Sequence, residues 1–235
     1  MRSAQLIRPV ALSEPPRWWQ HLIWVAGAGT LSMAIAAVFA GLLHWPRNLY
    51  LVPYIGLSAL LLTGYAAWSG VRVGEALVHN WGWGLLGATL CGVFSVQNVL
   101  SQPGTPPPQG PALAFAVVWL GLAYGTIDSL LLAVLPVYAT WQALRLRGWT
   151  SRWLGRFAAG LSALLAGMLV VGLYHLGYTE FRNPTVLFIM LGVGAQSLAY
   201  LLTGSPLAAI GSHVAMHLAA VVWGIDSVMQ LPPHS

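Results

Sequence analysis

Long apolar runs, separated by short clusters of arginine, proline and polar residues, organise the whole chain. They fall at residues 22–43, 49–68, 81–100, 112–141, 157–178, 185–202 and 206–223. An α-helix rises about 1.5 Å per residue and a hydrocarbon core is about 30 Å thick, so each run is of spanning length. The runs are continuous rather than alternating with period two, which excludes a membrane β-barrel pattern. The pattern therefore predicts an all-α, polytopic transmembrane helical bundle of about seven spanning helices. The first run exceeds the 7–15 apolar residues of a typical signal-peptide core, so it is expected to be a retained span. Run 112–141 is longer than the hydrocarbon core requires and must tilt, protrude or kink, with Pro136 the expected kink point.

The polar clusters divide the chain further. A basic lead-in occupies residues 1–20, and three spans fill 21–100. The loop 101–111 carries Pro103, Pro106, Pro107, Pro108 and Pro111, so it cannot be helical and is expected to be extended. Four spans form a core over 112–225, and a tail covers 226–235, of which Leu231 onward is expected to be disordered. Residues 69–80 read as a partly helical connection, and 179–184 as a tight polar turn.

Composition sharpens the class. Only 6% of residues are charged and 57% are hydrophobic, whereas a soluble domain carries about 25% charge. The net charge of +5 comes entirely from arginine. In this setting it reads as topology and lipid-headgroup contact, with no nucleic-acid partner expected. With a cytoplasmic N-terminus, Arg2, Arg8, Arg17, Arg72, Arg145, Arg147, Arg152 and Arg156 fall inside, and only Arg47 and Arg182 fall outside. The positive-inside rule then predicts the N-terminus in the cytoplasm and the C-terminus outside. Cys91 is the sole cysteine, so no intrachain disulfide forms. Gly121 and Gly125, four residues apart in the fourth run, predict a close helix approach.

The candidate chemistry lies in the few polar groups at membrane depth. Asp128 is the one acidic residue inside an apolar run. Placing an acid at a helix centre costs about 2.5–3.5 kcal/mol, so it needs a partner, a hydrated cavity or a proton. In the last run Ser205 is the expected N-cap and Pro206 the first helical residue. His213 and His217 then sit one turn apart on one helix face. His175 lies near the end of the fifth run. These four side chains are expected to face a common hydrated cavity between the fourth, fifth and seventh spans. Gln97, Asn98, Gln196 and Ser197 are expected to hydrogen-bond between helices.

The segment Leu202-Thr203-Gly204-Ser205-Pro206-Leu207-Ala208-Ala209-Ile210-Gly211-Ser212-His213 resembles the final motif of the CAAX protease and bacteriocin-processing (CPBP) intramembrane protease family. Val171-Gly172-Leu173-Tyr174-His175-Leu176 resembles that family's F-x-x-x-H-L motif, with Val171 in place of phenylalanine. Ile127 and Asp128 stand where the family has paired glutamates, Leu132 where it has an arginine, and His217 where it usually has an asparagine. The resemblance covers residues 112–223. It implies hydrolysis of membrane-embedded or prenylated peptides, with Asp128 as base, His175 assisting, and His213 with His217 binding the oxyanion. It requires no cofactor, and its partners are the lipid bilayer and a membrane-embedded peptide.

Other readings stay open at this point. His213, His217 and either His175 or Asp128 could ligate zinc, although Val214 stands where the soluble zinc-protease signature has glutamate. Haem would need His175 opposite the histidine pair, because residues i and i+4 of one helix cannot take both axial positions. A non-enzymatic membrane scaffold, or a subunit that binds a cofactor or helix in the same groove, is the alternative class.

Overall fold

The computed structural model describes residues 16–233, all helix, turn and loop with no strand among them. Arg2, Arg8 and His234 lie outside the described residues. The helices are α1 (Trp18–Leu42), α2 (Arg47–Ser69), a short α3 (Val73–Val78), α4 (Trp81–Leu100), α5 (Pro111–Leu146), α6 (Trp153–Leu176), α7 (Thr185–Thr203) and α8 (Leu207–Trp223). Six of these are long and apolar enough to cross a membrane, and α8 is a shorter apolar helix of 17 residues. The chain is thus a multi-pass helical membrane protein.

Helix ends follow local chemistry. Gly70 and Gly204 take the left-handed conformation just after α2 and α7, with φ of 68° and 67°. A residue with a Cβ is strained there, and a glycine stops the helix by turning the chain. Pro111 opens α5, where its missing N–H has no helical partner to lose. The last helix starts at Leu207, one residue later than expected, and Ser205 does not cap it. Ser205 is fully buried and packs instead against Gly84 of α4, where a Cβ would occupy its place.

Successive long helices run in alternate directions, so the connections collect at two ends. At one end Arg147 stacks 4.7 Å from the Trp18 ring, and the Asn80 side chain donates to the Thr203 carbonyl. At the other end the Trp223 indole N–H donates to the Gln102 carbonyl. Arg47 also lies at this second end, but as a buried group rather than an interfacial charge. Its guanidinium donates to the carbonyls of Pro232, at 2.6 Å, and Ile225, at 2.7 Å.

That contact overturns the expectation of a disordered tail for its described part. Val228 and Leu231 bury their side chains in the bundle while Arg47 holds the backbone on either side of them. The apolar side chains and the carbonyls supply what the sequence's proline-rich ending conceals. Residues 101–110 form no helix, as their prolines require. Pro136 does not break α5: the wider π-helical turns at Leu130–Val134 lie immediately before it and absorb the missing N–H.

Candidate functional site

Asp128 sits midway along α5, in the short regular stretch Gly125–Ser129 between two π-helical segments, Val117–Tyr124 and Leu130–Val134. Each π turn inserts a residue into the helical register and re-aims the side chains that follow. Such turns concentrate at functional sites. Asp128 is consequently turned inward and is only 3% exposed.

Helix α8 lies against this stretch because Gly125 leaves room. A Cβ built at Gly125 would sit 3.2 Å from His217 Cδ2 and 3.3 Å from His217 Cβ. The small residue expected to bring helices together therefore admits an imidazole. His213 and His217, one turn apart, both point into the bundle and are 2% and 1% exposed.

Three elements complete the cluster. The Tyr54 hydroxyl on α2 donates to Asp128 Oδ1 at 2.5 Å. His213 Nε2 lies 2.8 Å from Asp128 Oδ2, and His213 Nδ1 lies 2.6 Å from Gln196 Oε1 on α7. His217 Nε2 stands 3.9 Å from Asp128 Oδ2, beyond hydrogen-bond distance. Neither ring nitrogen of His217 has a hydrogen-bond partner among the described residues. His213 is thus engaged on both sides, while His217 is the imidazole with free nitrogens.

A cavity of about 530 Å³ adjoins the cluster. Asp128, His175, His213 and His217 all line it, together with Tyr124 and Gln196. Two walls lie outside the three helices anticipated from sequence: α4 contributes Phe94, Ser95 and Asn98, and α7 contributes residues that include Phe188, Leu191, Gly192 and Gln196. Towards one end of the bundle the cavity is rimmed by amides. Gln102 donates to Gln230 at 2.9 Å, and Gln230 donates to Asn98 at 2.9 Å. Between α4 and α7 it is bordered by Phe94, Phe188 and Leu191, which are largely exposed and in a bilayer face lipid.

His175 occupies a different part of the wall. Its Nδ1–H donates to the Val171 carbonyl at 2.9 Å, and its ring packs edge-on against Tyr174 and Phe181. It lines the cavity without joining the three side chains that converge. Asp128, His213 and His217 have ligand atoms all within 4.8 Å of one another. Gln97 is exposed, and Ser197 Oγ has no hydrogen-bond partner among the described residues, so neither forms the helix-to-helix bond expected of it. Gln196 does form one, and Asn98 accepts from the tail instead.

The sequence reading missed the tyrosines. Tyr50, Tyr174 and Tyr178 bond through their hydroxyls at 2.6–3.1 Å, and Tyr124 joins at Tyr174. All four are buried, and the rings of Tyr50, Tyr124 and Tyr174 pack around that of Tyr54. One signal was available. Tyr50 with Tyr54, and Tyr174 with Tyr178, repeat the four-residue spacing of His213 and His217.

Comparison with known proteins adds no relative from which a role can be carried over: no family model matches the chain, and no curated protein or solved structure matches it.

Proposed function

We propose that the chain is a divergent CPBP-like intramembrane hydrolase that cleaves a peptide segment reaching its cavity from the lipid. The observation that carries this reading is the pair of free, buried nitrogens on His217, beside a carboxylate and facing a cavity. Buried polar atoms normally have partners, and one left open at a cavity is available to water or a substrate. Water held there adds its oxygen to the scissile carbonyl carbon. One of its protons passes to the Asp128–histidine cluster and then to the leaving nitrogen, so the amide C–N bond breaks to a carboxylic acid and an amine. The lipid-facing border at Phe94, Phe188 and Leu191 suits an apolar segment, and the amide rim at Asn98, Gln102 and Gln230 suits its polar end.

The orientation belongs to the same proposal. Arg17, Arg72, Arg145, Arg147, Arg152 and Arg156 gather at the end opposite Arg47 and Arg182. Placing the first set in the cytoplasm puts the N-terminus inside, and the C-terminus and the cavity's amide rim outside.

A second reading, a helix-binding scaffold, is favoured by a different observation. Asp128, His213, Gln196 and Tyr54 satisfy one another, as a structural tie between α2, α5, α7 and α8 would. Cleavage of quenched transmembrane peptides by the protein in nanodiscs separates the two. The hydrolase reading expects turnover that falls at least ~100-fold in Asp128→Asn and His217→Ala while helix content is kept. Wild-type protein that retains such peptides without cleaving any of them establishes the scaffold reading instead.

A further inference from the structure

We infer that Asp128, His213 and His217 form a binding site for one divalent transition-metal ion of the zinc class. The ion would be held through Asp128 Oδ2, His213 Nε2 and His217 Nε2, with a fourth position open to the cavity. The inference concerns the site assigned to hydrolysis but does not need hydrolysis to hold, because it is read by metal binding alone.

The hydrogen bonds around the cluster select the ligand atoms. Gln196 Oε1 accepts from His213 Nδ1–H, which leaves the lone pair of a neutral ring on Nε2. That lone pair faces the carboxylate oxygen at 2.8 Å. Two acceptors at this distance repel unless a positive centre, a proton or a metal, lies with them. Tyr54 fixes the other carboxylate oxygen, so Oδ2 alone is presented. Metal-bound histidines and carboxylates are commonly held in this way by an outer hydrogen bond.

His217 supplies the independent observation. It is 1% exposed, has no hydrogen-bond partner at either nitrogen among the described residues, and has Nε2 3.9 Å from the same carboxylate oxygen. A dry imidazole with both nitrogens unmatched is unfavourable, and a metal bond at Nε2 removes half of that deficit. Tetrahedral zinc with bonds near 2.0–2.1 Å sets neighbouring ligand atoms about 3.3 Å apart. The carboxylate-to-imidazole separations of 2.8 and 3.9 Å straddle that value, and all three ligand atoms lie within 4.8 Å of one another, so binding draws the two rings in around one ion. Two imidazoles and one carboxylate with an open position is the donor set of catalytic rather than structural zinc. His175 is not the third ligand, since the converging set contains Asp128 in its place.

The test uses the full chain purified in detergent and stripped with chelator, then titrated with Zn²⁺ and, as a spectroscopic probe, Co²⁺. One equivalent is expected to bind, with the intense visible absorption of four-coordinate Co²⁺. His217→Gln and Asp128→Asn should lose this site, and His175→Ala should keep it. Gln196→Leu should weaken it by ~10–100-fold, the usual value of an outer hydrogen-bonding partner. X-ray absorption on the zinc-loaded wild type counts two imidazoles without relying on any variant. A folded wild type that takes up no stoichiometric metal overturns the inference. So does undiminished binding by His217→Gln, or a zinc shell without two imidazoles. A metal that binds as described beside a protein that cleaves nothing leaves this inference standing and removes only the hydrolase reading.

Discussion

Asp128 is an acid at a depth where the membrane interior disfavours charge, and its two oxygens are held very differently. Oδ1 receives a neutral hydroxyl from Tyr54, while Oδ2 faces His213 and, farther off, His217. An interhelical hydrogen bond within a membrane protein contributes roughly 0.6–2 kcal/mol, whereas leaving a buried carboxylate oxygen without its partner costs about 1–3 kcal/mol, and more where the group is charged. Tyr54→Phe is therefore expected to lower thermal stability modestly and His213→Ala severely, as read by melting of the protein in nanodiscs. The reverse order would mean that the hydroxyl, not the imidazole, anchors the carboxylate. The sequence made Asp128 and both histidines visible because ionisable groups in apolar runs have no bland surface to occupy. It hid Tyr54 because a tyrosine in an apolar run looks the same whether it packs, anchors at the interface or bonds an acid 74 residues away.

At the scale of elements, the long spans were legible because an uninterrupted apolar run in lipid has one backbone solution, the helix. Even so α5 extends to Leu146, past the apolar boundary near Trp141, since helical hydrogen bonding continues into the arginine-rich segment. Its π-helical turns at Val117–Tyr124 and Leu130–Val134 were not legible, because hydrophobic periodicity distinguishes a helix from a strand but not an α turn from a π turn. At Gly125 the packing against α8 presses directly on the site. A methyl group there meets His217 at 3.2–3.3 Å on a face with little slack. Gly125→Ala should accordingly destabilise the protein by about 1–3 kcal/mol, the usual penalty for overpacking. It should also weaken metal binding more than Gly192→Ala, whose Cβ would meet nothing within 4 Å. Equal effects of the two substitutions on metal titration would show that the position of His217 does not depend on the gap at Gly125.

The whole molecule separates its charges from its chemistry. The arginine-rich end holds Trp18, Trp149 and Trp153, with Arg147 stacked on Trp18, the composition of an interface with anionic headgroups. At the opposite end Arg47 is consumed internally by the tail carbonyls, and Arg182 donates to the Leu176 carbonyl. Counting charges from sequence treated Arg47 as an outward-facing cation, but its burial removes it from the headgroup region. The asymmetry between the two ends is thus larger than the sequence count implied. Orientation is set by the free cations near the helix ends, so the end carrying residues 147–152 should be cytoplasmic and the end carrying residues 101–110 outside. Reporter fusions at residues 105 and 150 test this directly. A compartment-sensitive pair such as phosphatase and a fluorescent protein should give opposite signals, with 150 inside. Because α5 is the only span between the two positions, equal signals would mean that it does not cross the membrane, and the alternating bundle would fall with it. Opposite signals of the reversed sense would keep the bundle but place the amide rim of the cavity in the cytoplasm, and the substrate's polar end would have to be sought on that side.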